Sequence, residues 1–254
     1  MDDSSPAART LRALADAVGE SRPRHPADGT DPAVPVAGTV VIVRDGAHSA
    51  EVLMIERPDR GSFAGAWVFP GGKLEDDDRV EGDEAKSARR AAARETHEET
   101  GLVVDAATLV PLSCWDPPPG LPLRIRTWFF LAEDPGGAQT LAPDEVVAAQ
   151  WVRPLDMLAR HGRGEVTLYP PTWVTLHELG VQPNAAALLG AASLRGVEHF
   201  ETVGRRGAEG PMMLWQGDAE YADAGLGGAS RHRLEIGALP WTYRRADLPE
   251  GRSG

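Results

Sequence analysis

Cysteine is almost missing from this chain: Cys114 stands alone among 254 residues. One thiol closes no intrachain disulfide and builds no thiolate metal cluster, which removes the stapled secreted scaffold and the Cys-rich zinc module together. No apolar run approaches the roughly 20 residues needed to span a bilayer, so no membrane partner is expected. The opening "MDDSSPAARTLRALADAV" has neither the basic start nor the continuous apolar stretch of a secretory signal, and a cytoplasmic location is the expectation. Basic residues are outnumbered, 26 Lys and Arg against 38 Asp and Glu, for a formal net charge of −12. That balance argues against a nucleic-acid polymer as partner, because binding a phosphate backbone needs concentrated positive charge. A small anionic substrate stays open where divalent cations screen the carboxylates. There is also no G-x-S-x-G elbow, no H-E-x-x-H helix and no Walker-type lysine loop.

What is present reads as α+β with mostly antiparallel strands. Residues 7–18 place Leu11, Leu14 and Val18 on one face of a short helix, and the breaker-rich "GESRPRHPADGTDPAVP" after it predicts a loosely held arm over 1–33. "VAGTVVIVRDG" and "AEVLMIERP" predict a hairpin of two strands. "AWVFPGG" is a strand cut off by Pro70 and two glycines, and the alanine-rich "EAKSARRAAARETHEET" predicts a helix from about Glu84 until Gly101 stops it. "GLVVDAATLVPLSCW" and "LRIRTWFFLAED" supply strand material around a proline turn. A strand and short helix follow in "DEVVAAQWVRPLDMLARHGRGE", then helices in "LYPPTWVTLHELG" and "NAAALLGAASLRG". Past residue 197 the pattern weakens into strands and loops. The resulting division is 1–33 as a flexible arm, 34–180 as the main domain and 181–254 as a helical and strand extension packed on it.

The candidate site is the end of the alanine-rich helix. Residues three and four apart share a helix face, so Glu95, Glu98 and Glu99 project within a turn of one another. Like charges at that spacing cost a few tenths of a kcal/mol per pair, and the C-terminal end of a helix dipole disfavours anions further. An acidic helix face is ordinarily just solvated, but such crowding is a poor choice for a helix whose only task is to stand. Gly71-Gly72 lets backbone approach closely, Arg94 offers a fork to orient carboxylates, and hard oxygen donors suit Mg²⁺. A cation site explains the set better than surface charge does.

Gly72 followed by Arg94-Glu95-Thr96-His97-Glu98-Glu99-Thr100-Gly101-Leu102 resembles the Nudix box, G-x5-E-x7-R-E-U-x-E-E-x-G-U with U a bulky apolar residue. Thr96 stands where U is expected. The resemblance implies a Nudix-type mixed β-sheet sandwiched between helices, with Mg²⁺ or Mn²⁺ as cofactor and hydrolysis of a nucleoside diphosphate linked to another moiety. It implies Glu95, Glu98 and Glu99 as metal ligands, a carbonyl from Gly72, and Arg94 as the residue that orients them. Glu145, just before a strand in "PDEVVAAQWV", falls where many Nudix proteins keep a loop glutamate that assists the metals or acts as base.

The front of the box departs from the pattern. Between Gly72 and Arg94 there are 21 residues, 73 to 93, where the box has 13. Counting forward from Gly72 puts Asp78 at the first glutamate's place, and counting back from Arg94 puts Lys86 there; Asp78, Glu81 and Glu84 are the acidic residues available to fill it. The insert "LEDDDRVEGDEA" is too charged to pack and predicts a mobile loop. An insertion at this point resembles the Nudix branch that includes the peroxisomal coenzyme A diphosphatases, as do "CWDPPPGLPLRIRTWFFLA" and the Pro-Pro-Thr start of "LYPPTWVTLHEL". Two function classes follow. One is a phosphoanhydride hydrolase for coenzyme A or its thioesters, with ADP-ribose and NADH as competing substrates; the other is a Nudix-shaped regulator that binds a nucleotide without cutting it. A mere binder has no need of all three glutamates, which favours the enzyme. Trp115, Trp128, Phe129, Phe130 and Trp151 are read as core and His97 as a bystander, and Arg57, Lys73, Arg124 and Arg126, candidate phosphate contacts, read first as ordinary surface cations.

Overall fold

The computed structural model describes residues 6–19, 21–61, 63–121, 124–223 and 228–245. The chain divides into two compact units. One is drawn from Met1–Asp31, Asp116–Arg124 and Phe200–Gly254, the other from Pro32–Trp115 and Ile125–His199.

The second unit carries the acidic helix. It holds β1 (Val36–Asp45), β2 (Ala50–Glu56), β3 (Trp67–Val68), β4 (Gly71–Lys73), α2 (Glu84–Thr100), β5 (Val110–Asp116, whose last residue falls in the other unit), β6 (Arg126–Glu133), β7 (Ala148–Val152), α3 (Pro154–Gly162), α4 (Pro170–Leu179) and α5 (Ala185–Arg195); α1 is Pro6–Gly19 in the other unit. β1 runs parallel to β6 over its whole described register and antiparallel to β2 and β4, while β2 also pairs β3 and β7 and β5 pairs β6, all antiparallel. The sheet is therefore mixed, as expected, and α2, α3 and α5 pack on its strands.

The core explains why these segments fold as they do. Val40, Ile42, Leu53, Trp128 and Phe130 are buried against Ala88 and Ala92 of α2, whose small side chains let the helix lie close to the sheet. Cys114 is part of the same cluster, an apolar filler rather than a reactive thiol. Trp115, Trp128, Phe129 and Phe130 are all buried, and Trp151 lies half-buried under the Arg44 guanidinium at 4.2 Å. At the far end of α2, Gly101 takes φ 73 and donates to the His97 carbonyl at 2.8 Å, the left-handed stop that the sequence called for.

The insert differs from the mobile loop expected of it. Asp76–Asp78 form a 3-10 turn, Val80 N–H donates to Ser87 Oγ at 2.8 Å, and Asp83 caps α2 through a 2.9 Å bond from Lys86 N–H. One of its charges, Asp78, is buried where Arg94 can meet it, while Glu75, Asp76, Asp77 and Glu81 stay exposed. Charge alone did not forbid packing once a partner stood opposite.

The other unit contains α1, β9 (Val203–Gly207), β10 (Gly210–Leu214), β11 (His232–Glu235) and β12 (Thr242–Arg245), the strands in the order β12-β11-β10-β9. β8 (Glu198–Glu201) bridges the last residues of one unit and the first of the other. Leu11, Ala15 and Val18 of α1 are buried, and α1 packs on β9 and β10. The breaker-rich segment after α1 is held locally: Arg22 donates two hydrogen bonds to Asp28, at 2.9 and 2.5 Å, and the His25 N–H adds a third at 2.7 Å. Polar residues that tie one another down leave no apolar period for a sequence reading to detect. Residues 1–5 of the predicted arm lie outside the described residues.

Candidate active site

The geometry starts from Arg94, in the next-to-last turn of α2. Its guanidinium donates to Asp78 at 2.8 Å through Nη2 and at 3.3 to 3.4 Å through Nε, to Glu95 and Glu98 at 2.9 Å through Nη1, and to the Lys73 carbonyl at 3.1 Å. Its pKa is raised, chiefly by the hydrogen bond to Asp78. One planar fork thus fixes three carboxylates and the end of β4, the strand that contains Gly72.

Asp78 answers the question left by the spacing. It meets Arg94 where forward counting from Gly72 puts the first carboxylate of the box, so the eight extra residues lie between Asp78 and Arg94. The other two candidates are elsewhere: Glu81 is exposed, and Glu84 accepts from Arg126 at 3.1 Å and Trp128 Nε1 at 2.9 Å. Arg126 and Arg124 are committed to ion pairs with Glu84 and Asp31.

Glu95, Glu99 and Glu145 come together. One carboxylate oxygen from each lies within 4.8 Å of the others, and they form a potential metal-holding group among the described residues. Close approach is built into the backbone beside them, since a Cβ on Gly72 would lie only 2.2 Å from Glu95 Cδ. Glu145 reaches the group from a loop anchored at both ends: Ala142 N–H donates to the Glu99 carbonyl at 3.1 Å and Val147 N–H to the Glu56 carbonyl at 2.9 Å. Glu98 points elsewhere. Its side chain is 52 % exposed and turned to Arg94, outside the group of three. His97 is exposed, and Thr96, fully buried, donates its hydroxyl to the Ala92 carbonyl at 2.7 Å.

Glu99 is the most constrained member. It is fully buried, accepts from the Gly71 N–H at 2.9 Å and pairs with Arg57. Burial pushes its pKa up to about 7, opposed by the Gly71 hydrogen bond and Arg57 and reinforced by Glu95 and Glu145. Burial also raises the pKa of Glu95, against the pull of Arg94. Hard oxygen donors clustered at this spacing, with one of them resisting ionisation when no cation is near, fit a Mg²⁺ or Mn²⁺ ion.

That shift gives a stability prediction for metal-free protein. Between pH 4.5 and about 7 the folded state keeps the Glu99 proton that the unfolded chain has released, so this group's contribution falls as pH rises through that window. The span corresponds to at most ~3 kcal/mol. Melting in a chelating buffer should therefore show a decline in Tm from pH 5 to pH 8 that is smaller in Glu99→Gln; identical slopes in the two proteins would contradict the assignment.

Strand, glycine turn and acidic helix in this arrangement make a Nudix-type fold. A model of the NUDIX domain matches residues 34–172, and the chain belongs to that family. An 8-oxo-dGTP diphosphatase of Proteus vulgaris is 37% identical over 83 residues, which is 33% of this chain and 64% of that protein. The chain thus matches less than two thirds of that relative's length. Among solved structures, a NUDIX hydrolase from Alicyclobacillus acidocaldarius superposes with a TM-score of 0.56 at 27% identity, covering 62% of this chain and 96% of that one. A MutT NUDIX hydrolase from Burkholderia pseudomallei covers 57% of this chain and 97% of its own at 26% identity and a TM-score of 0.45. No helix among the described residues is long and apolar enough to cross a membrane.

Proposed function

We propose that this protein is a divalent-cation-dependent hydrolase that splits the phosphoanhydride of a nucleoside diphosphate linked to another moiety, with coenzyme A or an acyl-coenzyme A as substrate. The observation that carries the reading is the meeting of Glu95, Glu99 and Glu145 at the end of α2. These three would hold Mg²⁺ or Mn²⁺, with the Gly72 carbonyl beside them. When bound, such an ion neutralises phosphate charge and lowers the pKa of a coordinated water.

The chain's own residues do the rest. Arg94 keeps Glu95 aimed at the site through its 2.9 Å bond, and the Gly71 N–H fixes one oxygen of Glu99 while Arg57 meets the other. A carboxylate of Glu98, Glu99 or Glu145 takes the proton as water forms its bond to one phosphorus and the bridging oxygen leaves with the other. Without a cation the carboxylates would repel the substrate's phosphates, so activity should depend absolutely on divalent ions.

The coenzyme A assignment rests on the inserted residues between Asp78 and Arg94 and on the proline turn ahead of β6. A nucleoside triphosphate with an altered base is the second reading, because the Proteus vulgaris relative is an 8-oxo-dGTP diphosphatase. A panel of coenzyme A, acyl-coenzyme A, ADP-ribose, NADH, diadenosine polyphosphates and 8-oxo-dGTP with Mg²⁺ or Mn²⁺, products identified by mass, decides between them. Coenzyme A should give 3′,5′-ADP and 4′-phosphopantetheine with the thioester of acylated forms intact. Cleavage of ADP-ribose, NADH or 8-oxo-dGTP with coenzyme A inert would overturn the substrate and keep the hydrolase. Tight binding of one compound without any cleavage would make the protein a sensor.

A further inference from the structure

The loop from Arg57 to Ala66 is more elaborate than a β2–β3 connection requires. It closes on itself through Arg57 N–H to the Ala66 carbonyl at 2.9 Å and Gly65 N–H to the Pro58 carbonyl at 3.1 Å. Its two arginines meet different parts of the segments that carry the carboxylate group: Arg57 pairs with Glu99, and Arg60 donates to the carbonyl of Asp144, the neighbour of Glu145, at 2.8 Å. At the tip, Phe63 adopts φ 61, and it is the one non-glycine residue with positive φ among those described. A bulky side chain in the left-handed region carries strain that glycine would not. Strain of this kind persists where the placement of a side chain is worth more than local stability.

The ring that this conformation places is half-buried and stands edge-on to the half-buried Tyr169, centroids 4.8 Å apart and planes at 87°. Tyr169 is itself fixed next to the loop, since Trp67 N–H donates to the Thr167 carbonyl at 3.0 Å and Ala66 bridges Thr167. A pair of partly exposed aromatic rings, on a loop whose arginines flank the candidate metal ligands, has the chemistry to receive a flat aromatic group whose phosphates lie over the carboxylates. The tryptophans and phenylalanines of β5 and β6, by contrast, are sealed in the core and offer no face to a ligand.

We propose that Phe63 and Tyr169 form the stacking subsite for the substrate's nucleobase, a role that rests on the nucleotide reading above and extends it. Phe63 is then a specificity-determining residue kept in an unfavourable backbone conformation for the sake of its ring. The alternative is that the pair only clasps the loop to the segment before α4.

Calorimetric titration of the full chain with ADP and with inorganic pyrophosphate, both with Mg²⁺, separates these accounts without needing turnover. Wild type should bind ADP more tightly than pyrophosphate. Phe63→Gly removes the ring and suits the positive φ, so it should keep or raise Tm while weakening ADP at least tenfold and leaving pyrophosphate within about twofold, in line with the worth of a base–aromatic stack. Phe63→Trp should retain ADP binding, and Tyr169→Phe should match wild type where Tyr169→Ala does not. Equal losses for ADP and pyrophosphate, a lowered Tm in Phe63→Gly, or no preference for ADP in wild type would each overturn the subsite. Selective ADP binding in a protein that cleaves nothing would keep the subsite and overturn the hydrolase.

Discussion

Glu99→Gln is expected to leave the fold standing and to cut turnover by about a hundredfold or more. The amide keeps the shape of the side chain and an oxygen for the Gly71 N–H, which now donates to a carboxylate at 2.9 Å. What it removes is the charge that, with Glu95 and Glu145, would hold the cation. Metal-free stability at pH 8 should hold or rise, because a buried group whose pKa sits at about 7 is there ionised against the preference of its surroundings, although Arg57 loses its charged partner. Direct Mn²⁺ titration should show weakened binding in step with the lost turnover. Full activity with unchanged Mn²⁺ affinity would remove the carboxylate group as the site.

The sequence makes the local elements of this fold legible because each has a local cause. Ala88, Ala91 and Ala92 mark the packed face of α2 and Gly101 its end, and Pro170-Pro171 open α4 at the positions where a missing N–H matters least. The same holds for the Arg94–Glu98 contact, which follows from i,i+4 helical spacing. Long-range pairings have no such signature. Arg57 meets Glu99 across 42 positions, a partnership that exists only once β2 and α2 are side by side. Glu145 enters the carboxylate group because the loop of 142–147 is carried there by Glu56 and Glu99 backbone groups, while Glu98, turned to Arg94, stays out of it. Phe63 offered no signal at all, since nothing in its neighbours announces a left-handed backbone for a phenylalanine.

The insertion shows how both kinds of information combine. Spacing alone left three acidic residues eligible for one place, and only burial decides among them. Asp78 is chosen because its short side chain, at the end of a 3-10 turn, lies where the Arg94 fork arrives, while Glu84 is drawn off by Arg126 and Trp128. The carboxylate that supports the site is thereby uncoupled from the start of the helix, and extra residues are accommodated without disturbing it.

Asp78→Ala should accordingly lower both stability and activity. Asp78 is 4% exposed, takes the strongest of Arg94's contacts and also accepts from the Glu75 N–H at 2.9 Å. Its loss leaves a guanidinium short of charge compensation and a backbone donor without its acceptor, a cost of about 2–3 kcal/mol given that Glu95, Glu98 and the Lys73 carbonyl still hold Arg94. For a chain of this size that is a fall in Tm of roughly 4–12 °C. With its anchor gone, Arg94 no longer fixes Glu95, and loss of such a supporting contact costs roughly 10–100-fold in metal affinity or turnover. Asp78→Asn keeps an acceptor for the Glu75 N–H and should recover part of the stability but little of the activity, because the ion pair to Arg94 is what aims Glu95. This pattern differs from that of Glu99→Gln in stability: there the Tm holds or rises while turnover falls, here both fall. An Asp78→Ala protein that melts with wild type would place Arg94's anchor elsewhere and return the first carboxylate of the box to Glu81 or Glu84.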